Sequence, residues 1–555
     1  MIRLIGIINL NTNFSMKKVF LILILANFQL SVFNSFGQDE DYLKKIFPVA
    51  DEHLKNGKID LALKNFLELE KLYPDNAHVK YKIGMCYFTT TNRKSLAIPY
   101  FKAASKDISK EYTEGNYKQQ QAPPDAIYKL ARTYHLEFKV DSAITQYKKF
   151  KPLVPDYEID LIKDIDRQIK MCDNAREIFK SPVTFSIQNL GKKINSAFDD
   201  YSAVTDASES MLIFTSRRQG TTGNLKADDD KYFEDIYVSV KNEKGEWSAP
   251  NNIGPNINTE GHDACISLSA DGQQLYIYRD DWGDGNIYVS TLQNDVWSEA
   301  VMLGSDINSK AWETHASVSP DGQLLFFTSN RNGGKGGLDI YFCKKLPNGE
   351  WGLAQTLGDV INTEYDEDAP FMHPDGKTLF FSSKGHTSIG GFDIFFSVLQ
   401  ENGKWTEPRN IGYPTNTADD EVFFVASPDG KRAYYSSSKD SGFGEKDIYL
   451  INLELEIQEP LTLFKGKIEK EPDGSIPKVT INVTDNRSGE LYGTYRNRAD
   501  NGSFTLILKP GITYNIAYEA NGFLFHSENL TVPVGTSYFE INKAVNLQPI
   551  KIKKQ

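Results

Sequence analysis

His373-Pro374-Asp375-Gly376, then Leu379-Phe380-Phe381-Ser382-Ser383, then Asp393-Ile394-Phe395: a tight turn, an aromatic strand, and a second strand opening on an aspartate. The same phrases recur along the middle of the chain. The turn returns as Ser319-Pro320-Asp321-Gly322 and Ser427-Pro428-Asp429-Gly430, with Ser269-Ala270-Asp271-Gly272 as a variant. The aspartate strand returns as Asp235-Ile236-Tyr237, Asn286-Ile287-Tyr288, Asp339-Ile340-Tyr341 and Asp447-Ile448-Tyr449, at steps of 51, 53, 54 and 54 residues. Trp247, Trp297, Trp351 and Trp405 follow four of these strands. Five units of this length, each with room for four short strands, predict a five-bladed β-propeller.

The pattern also predicts how the ring closes. Each unit ends with a Trp-containing strand leading to a glycine, at Gly254, Gly304, Gly358 and Gly412, but the last unit stops before that strand. Val183–Leu190, ending at Gly191, precedes the first unit and has the missing strand's character. Pairing it into the fifth unit removes the exposed edge that an open array leaves. The turn and Asp-Ile-Tyr motifs of 183–458 resemble TolB-type, WD-like propeller repeats, a resemblance that speaks for fold and not for activity.

Outward from this centre the period changes twice. In 38–180, Ile83-Gly84-Met85-Cys86-Tyr87 matches Leu130-Ala131-Arg132-Thr133-Tyr134, and Ala62, Phe66 and Pro74 match Ala143, Tyr147 and Pro155. Small residues let paired helices approach closely, and proline ends the second helix. A polar insertion over 105–124 lengthens one repeat. The pattern resembles about three tetratricopeptide repeats, which implies a concave surface for peptides or proteins. In 460–550, Val479-Thr480-Ile481-Asn482-Val483 alternates as half-buried strands do, and Asp500-Asn501-Gly502 marks a hairpin. The strand order resembles the carboxypeptidase regulatory-like domain and implies a small transthyretin-like β-sandwich.

The first 37 residues read as an export leader. Lys17 and Lys18 precede the apolar run Val19–Ala26, and Ser35-Phe36-Gly37 supplies a small-residue cleavage site before Gln38. Translation is expected to start at Met16, and no cysteine near Gly37 offers a lipid anchor. The formal net charge is −12, and the leader holds Arg3, Lys17 and Lys18 with no acid, so the exported chain is more acidic still. Such a chain repels phosphate backbones, which excludes nucleic acid as an expected partner. Cys86, Cys172, Cys265 and Cys343 form no CxxC. Cys86 and Cys172 are read either as a pair or as buried free thiols.

No catalytic constellation emerges. GxSxG, HExxH and phosphate-binding glycine loops are all missing, and the eight histidines are scattered. Propellers of the TolB type also occur fused to prolyl-oligopeptidase domains, but no hydrolase segment follows here. The sialidase turn box, SxDxGxxW, differs from the adjacent Asp321-Gly322. No enzyme, cofactor or metal is therefore expected, and His373 is read as a turn residue. One repeated acid stands nine residues before each turn glycine: Asp263, Glu313, Glu367 and Glu421, with Asp200 aligned in the first unit. These five acids are a candidate ring at one channel mouth, for a cation or a basic partner loop. The other reading gives each carboxylate to backbone hydrogen bonds in its own unit. Asp228-Asp229-Asp230 reads as a solvated loop, since EF-hand spacing is absent.

Leader, tetratricopeptide repeats, TolB-like units and regulatory-like sandwich, in that order, resemble the PorE-like family of Bacteroidetes envelope proteins. That resemblance implies a periplasmic adaptor at the outer membrane, linked to type IX secretion or gliding, with a PorP/SprF-like partner. The family's OmpA-like module is not found before Gln555, so peptidoglycan binding is not expected. The alternative is an envelope carbohydrate-binding protein.

Overall fold

A computed structural model describes residues 40–550, apart from 91–92, 184, 228, 243, 281–282, 294–295, 440–441, 454–460 and 535–538. The leader and the start at Met16 lie outside the described residues. Two compact units result, Met1–Thr133 and Tyr134–Gln555.

The α-helices of the first unit are 40–55, Ile59–Leu72, Ala77–Phe88, Ala97–Ala104 and the start of Asp125–Leu136. Gly57 takes a left-handed φ of +71° in the turn that ends the first helix. Asn76 caps the third, its side chain accepting from Val79 N–H at 3.0 Å. The small position Gly84 has a steric cause: a Cβ there would lie 2.7 Å from the Phe101 ring. Phe47, Phe66, Val79, Ile83 and Cys86 form the core. Lys82, almost fully buried, meets Asp51 at 2.6 Å and ties 40–55 to Ala77–Phe88. The 105–124 insertion is folded back on this core, with Tyr112 Oη and His78 Nε2 2.8 Å apart.

The second unit begins with helices Val140–Phe150 and Ile159–Ile178. The boundary at 133/134 falls inside Asp125–Leu136, so the stretch 38–180 does not stay in one unit. The reason is polar and aromatic contact with sheet loops. Arg167 donates to Lys384 O at 2.6 Å, Asn174 donates to Ser388 O at 2.8 Å, and Phe138, Phe179 and Tyr413 pack edge to face.

Mostly β-structure follows, in a propeller-like arrangement of five antiparallel sheets. Their first strands are Asp200–Thr205, Asp263–Leu268, Glu313–Val318, Glu367–Met372 and Val422–Ala426. Each is followed by an apolar second strand, such as Thr378–Ser383, and by the Asp-Ile-Tyr strand. The first strands adjoin in order, and Val422–Ala426 returns to pack beside Asp200–Thr205. Ser186–Asn189 pairs antiparallel with Asp447–Asn452, completing the fifth sheet as the strand count required. Ile187 joins the core of that sheet with Tyr435, Tyr449 and Ile451.

Residues 461–550 form a three-stranded sheet, Ser503–Leu508, Thr462–Ile468 and Phe539–Val545, facing a four-stranded one. The latter runs Leu491–Arg496, Thr480–Asp485, Thr513–Glu519, His526–Thr531. Phe464, Leu506 and Leu508 face the core between these sheets. Their neighbours Leu463 and Ile507 point the other way, onto Ala207 and Ala270 of the propeller-like turns. Burial on both faces explains why Leu461-Thr462-Leu463-Phe464 and Leu506-Ile507-Leu508 read as runs, not alternations. All four cysteines are free buried thiols.

Candidate functional site

The five repeated acids open, or immediately precede, the first strands, and all are fully buried. Each carboxylate accepts the backbone N–H and side-chain hydroxyl of a Ser or Thr four residues earlier. The pairs are Asp200 with Ser196, Asp263 with Thr259, Glu313 with Ser309, Glu367 with Thr363 and Glu421 with Thr417, at 2.5–2.9 Å. Each acid is thus held by a Ser or Thr of its own unit.

A neighbouring asparagine was missed at the sequence level. Asn258 accepts from Ile236 N–H at 2.9 Å and donates to Ile236 O at 2.9 Å, locking the second unit to the first. Asn308, Asn362 and Asn416 repeat this latch on Ile287, Ile340 and Ile394. Asn195 closes the cycle on Ile448, at 2.9 and 3.0 Å. The recurring Asn-Ser/Thr dipeptide at 195–196, 258–259, 308–309, 362–363 and 416–417 was the available signal.

The acids differ in how their charge is met. Arg218, Arg279 and Arg331 reach Asp200, Asp263 and Glu313 at 2.6, 2.6 and 3.1 Å. In the fourth unit Gly385 stands where Arg331 stands in the third, and burial pushes Glu367 up to about 7 against the hydrogen bonds of Thr363 and Ser383. Burial likewise drives Asp393 up to about 8, and burial plus the Asp393 charge raise Glu421 well above the usual range. Lys439 occupies the corresponding position of the fifth unit, where burial lowers its pKa although Glu421 opposes that shift.

The first strands of all five sheets enclose a narrow central space lined by Ser202, Ile266, His315, Ala369 and Phe423. A bulge in every first strand turns these residues inward. Ser202, Ala369 and Phe423 take left-handed φ of 50°, 49° and 61° there. His315 Nδ1 lies 2.7 Å from Asp368, which also accepts from Thr314 at 2.7 Å. Burial opposes ionisation of Asp368, but the charge and hydrogen bond of His315 hold its pKa below the ordinary value. Phe423 packs on His315 and stacks on Tyr201, whose hydroxyl donates to Glu234 at 3.2 Å. Glu234 in turn holds His262, whose pKa burial and Arg217 lower. The free volume is about 20 Å³, room for roughly one water. At the opposite end about 30 Å³ remains among Ala207, Ala270, Pro320, Pro374 and Pro428. The centre is packed, not hollow.

Elsewhere, His373 is a buried turn residue, accepting Asp375 N–H at 3.1 Å. Of the 228–230 loop, Asp228 lies outside the described residues, Asp229 pairs with Arg217 at 2.7 Å, and Asp230 pairs with Lys226. Among the described residues no cluster of three or more His, Cys, Asp or Glu can hold a metal ion. No described helix is long and apolar enough to cross a membrane.

The class this geometry defines is a propeller-like β-protein carrying N-terminal helices and a sandwich. No protein-family model matches the sequence, and no curated protein proves similar. Solved structures similar in fold include TolB from Acinetobacter baumannii, at 17% identity over 46% of this chain, with a TM-score of 0.29. The chain spans 55% of that protein's length. A putative TolB from Agrobacterium tumefaciens is similar at 15% identity, over 59% of this chain and 98% of its own, with a TM-score of 0.30. A gluconolactonase from Xanthomonas campestris is similar at 11% identity, over 49% and 96%, with a TM-score of 0.28. TolB proteins and an enzyme thus both stand among the neighbours, and likeness at this level assigns no activity.

Proposed function

We propose that this chain is a non-catalytic adaptor of the bacterial envelope. In this reading it combines a tetratricopeptide-like array, a five-bladed propeller closed through Ser186–Asn189, and a transthyretin-like sandwich. It works in the periplasm at the outer membrane, with a PorP/SprF-like protein or other components of type IX secretion or gliding. The observation that supports it is the packed centre. Side chains fill the space where propeller ligands commonly sit, and the repeated acids are consumed by hydrogen bonds, which leaves outer surfaces as the means of recognition. The five asparagine latches, one of them closing on Ile448, support the five-bladed ring. The test is affinity purification of the tagged protein from gently solubilised envelopes, with mass spectrometry. Recovery of a PorP/SprF-like protein or of secretion components is expected. Recovery of no protein partner after cross-linking overturns the adaptor reading.

One observation favours the glycan alternative. Trp312 is 46% exposed, with its indole N–H donating to Tyr278 Oη at 3.1 Å, and a fixed open indole face suits sugar stacking. Glycan-array binding that W312A abolishes would carry that reading; a blank array removes it.

A further inference from the structure

The four-stranded sheet of the sandwich has two ends, and they are treated oppositely. At one end Leu491–Arg496 lies over the propeller-like turns, where Gly493–Arg496 and Ser319–Gly322 line a common cleft. At the other end His526–Thr531 pairs with Thr513–Glu519 alone among the described residues. Six consecutive residue pairs run through that register without a bulge.

Exposed edges of this kind are normally blunted by lysine, proline, bulges or a covering loop. Here the strand contains no lysine, arginine or proline. Its outward residues Ser527, Asn529 and Thr531 are exposed and uncharged. Its single acid, Glu528, is turned inward, where Tyr518 donates to it at 2.9 Å and Lys543 pairs with it. Apolar side chains stand open at both ends: Leu524 is 56% exposed, Phe525 67% and Val534 86%.

We propose that a second copy of this chain adds its own His526–Thr531 to this edge, antiparallel about a two-fold axis. The strand is complementary to itself in that arrangement. Centred on Asn529, the outward residues meet outward ones, Asn529 facing Asn529 and Ser527 facing Thr531, while Glu528 faces Leu530, so no like charges oppose one another. The same register carries Leu524 and Phe525 of each copy toward Val534 of the other, so apolar groups meet at both ends of the seam. Two four-stranded sheets become one continuous sheet, and the backbone groups along the edge gain partners.

Sedimentation equilibrium of the full chain across micromolar concentrations tests this, with N529E and F525D compared. A dimer is expected for the unaltered chain. N529E places two acids opposite one another at the axis and weakens the dimer by about tenfold or more. F525D weakens it through the apolar ends. Both positions are exposed, so unchanged melting shows that the monomer is intact. A chain that stays monomeric at every concentration overturns the proposal, and so does a dimer that neither variant weakens.

Discussion

Units one to three and units four to five carry the same buried carboxylate but keep it by different means. In the first three an arginine reaches the acid, and in the third Arg331 also lies over Phe327 and Tyr341 at 4.8 and 5.2 Å. In the fourth no arginine stands at that position, and burial lifts Glu367 to about 7. One repeated residue type therefore has an arginine against it in one half and none in the other. Burial sets the cost of a charge, and the local partner decides whether that cost is met.

The largest expected effect comes from erasing the difference. R331M removes the cation from Glu313 while keeping most of the volume, leaving a buried acid with only Ser309 and Ser329 as partners. A loss of about 2–4 kcal/mol at pH 7, measured by urea unfolding, is expected.

Next comes D393N, which removes a carboxyl whose pKa is raised on folding. Because the native state holds the proton more tightly than the unfolded chain, Asp393 contributes fully below its unfolded pKa of about 4. That contribution fades as pH rises through about 8. D393N is expected to match the parent near pH 4 and to exceed it at pH 8 by on the order of 1–3 kcal/mol. Thermal melts at both values check this, and identical pH slopes for the two proteins would refute it.

The smallest effect concerns Gly385, which holds the arginine's position in the fourth unit. A Cβ there would overlap the Thr363 side chain, whose hydroxyl is already donated to Glu367 at 2.7 Å. G385A is expected to cost about 1–2 kcal/mol by disturbing that hydrogen bond, within the ordinary range for a single substitution. An unchanged melting midpoint would show that Thr363 moves aside freely.

Much of this is legible in the sequence. The turn at His373–Gly376 and the recurring Asp-Ile-Tyr strands announced five repeats, and a missing last strand pointed to Val183–Leu190. Gly84 was marked as a small position, and Phe101 shows what it makes room for. The acids were visible as a series, yet their partners were not. The asparagine latches escaped because each joins a residue to a strand of another unit, in one case 253 positions away. The His315–Asp368 and His262–Glu234 pairs escaped for the same reason.

The chain's own order of residues determined what depends on neighbours along it: turns, strand periodicity, small contact positions and the count of repeats. Each of those is a local preference of the backbone or of alternating side chains, repeated until it cannot be mistaken. Tertiary structure alone decided which acids meet an arginine, that the centre is packed, and that Leu463 and Ile507 belong to the propeller-like turns. It also decided that the helices after residue 134 group with the sheets. Those facts turn on which distant surface removes water from a given side chain, and desolvation is a property of the folded packing.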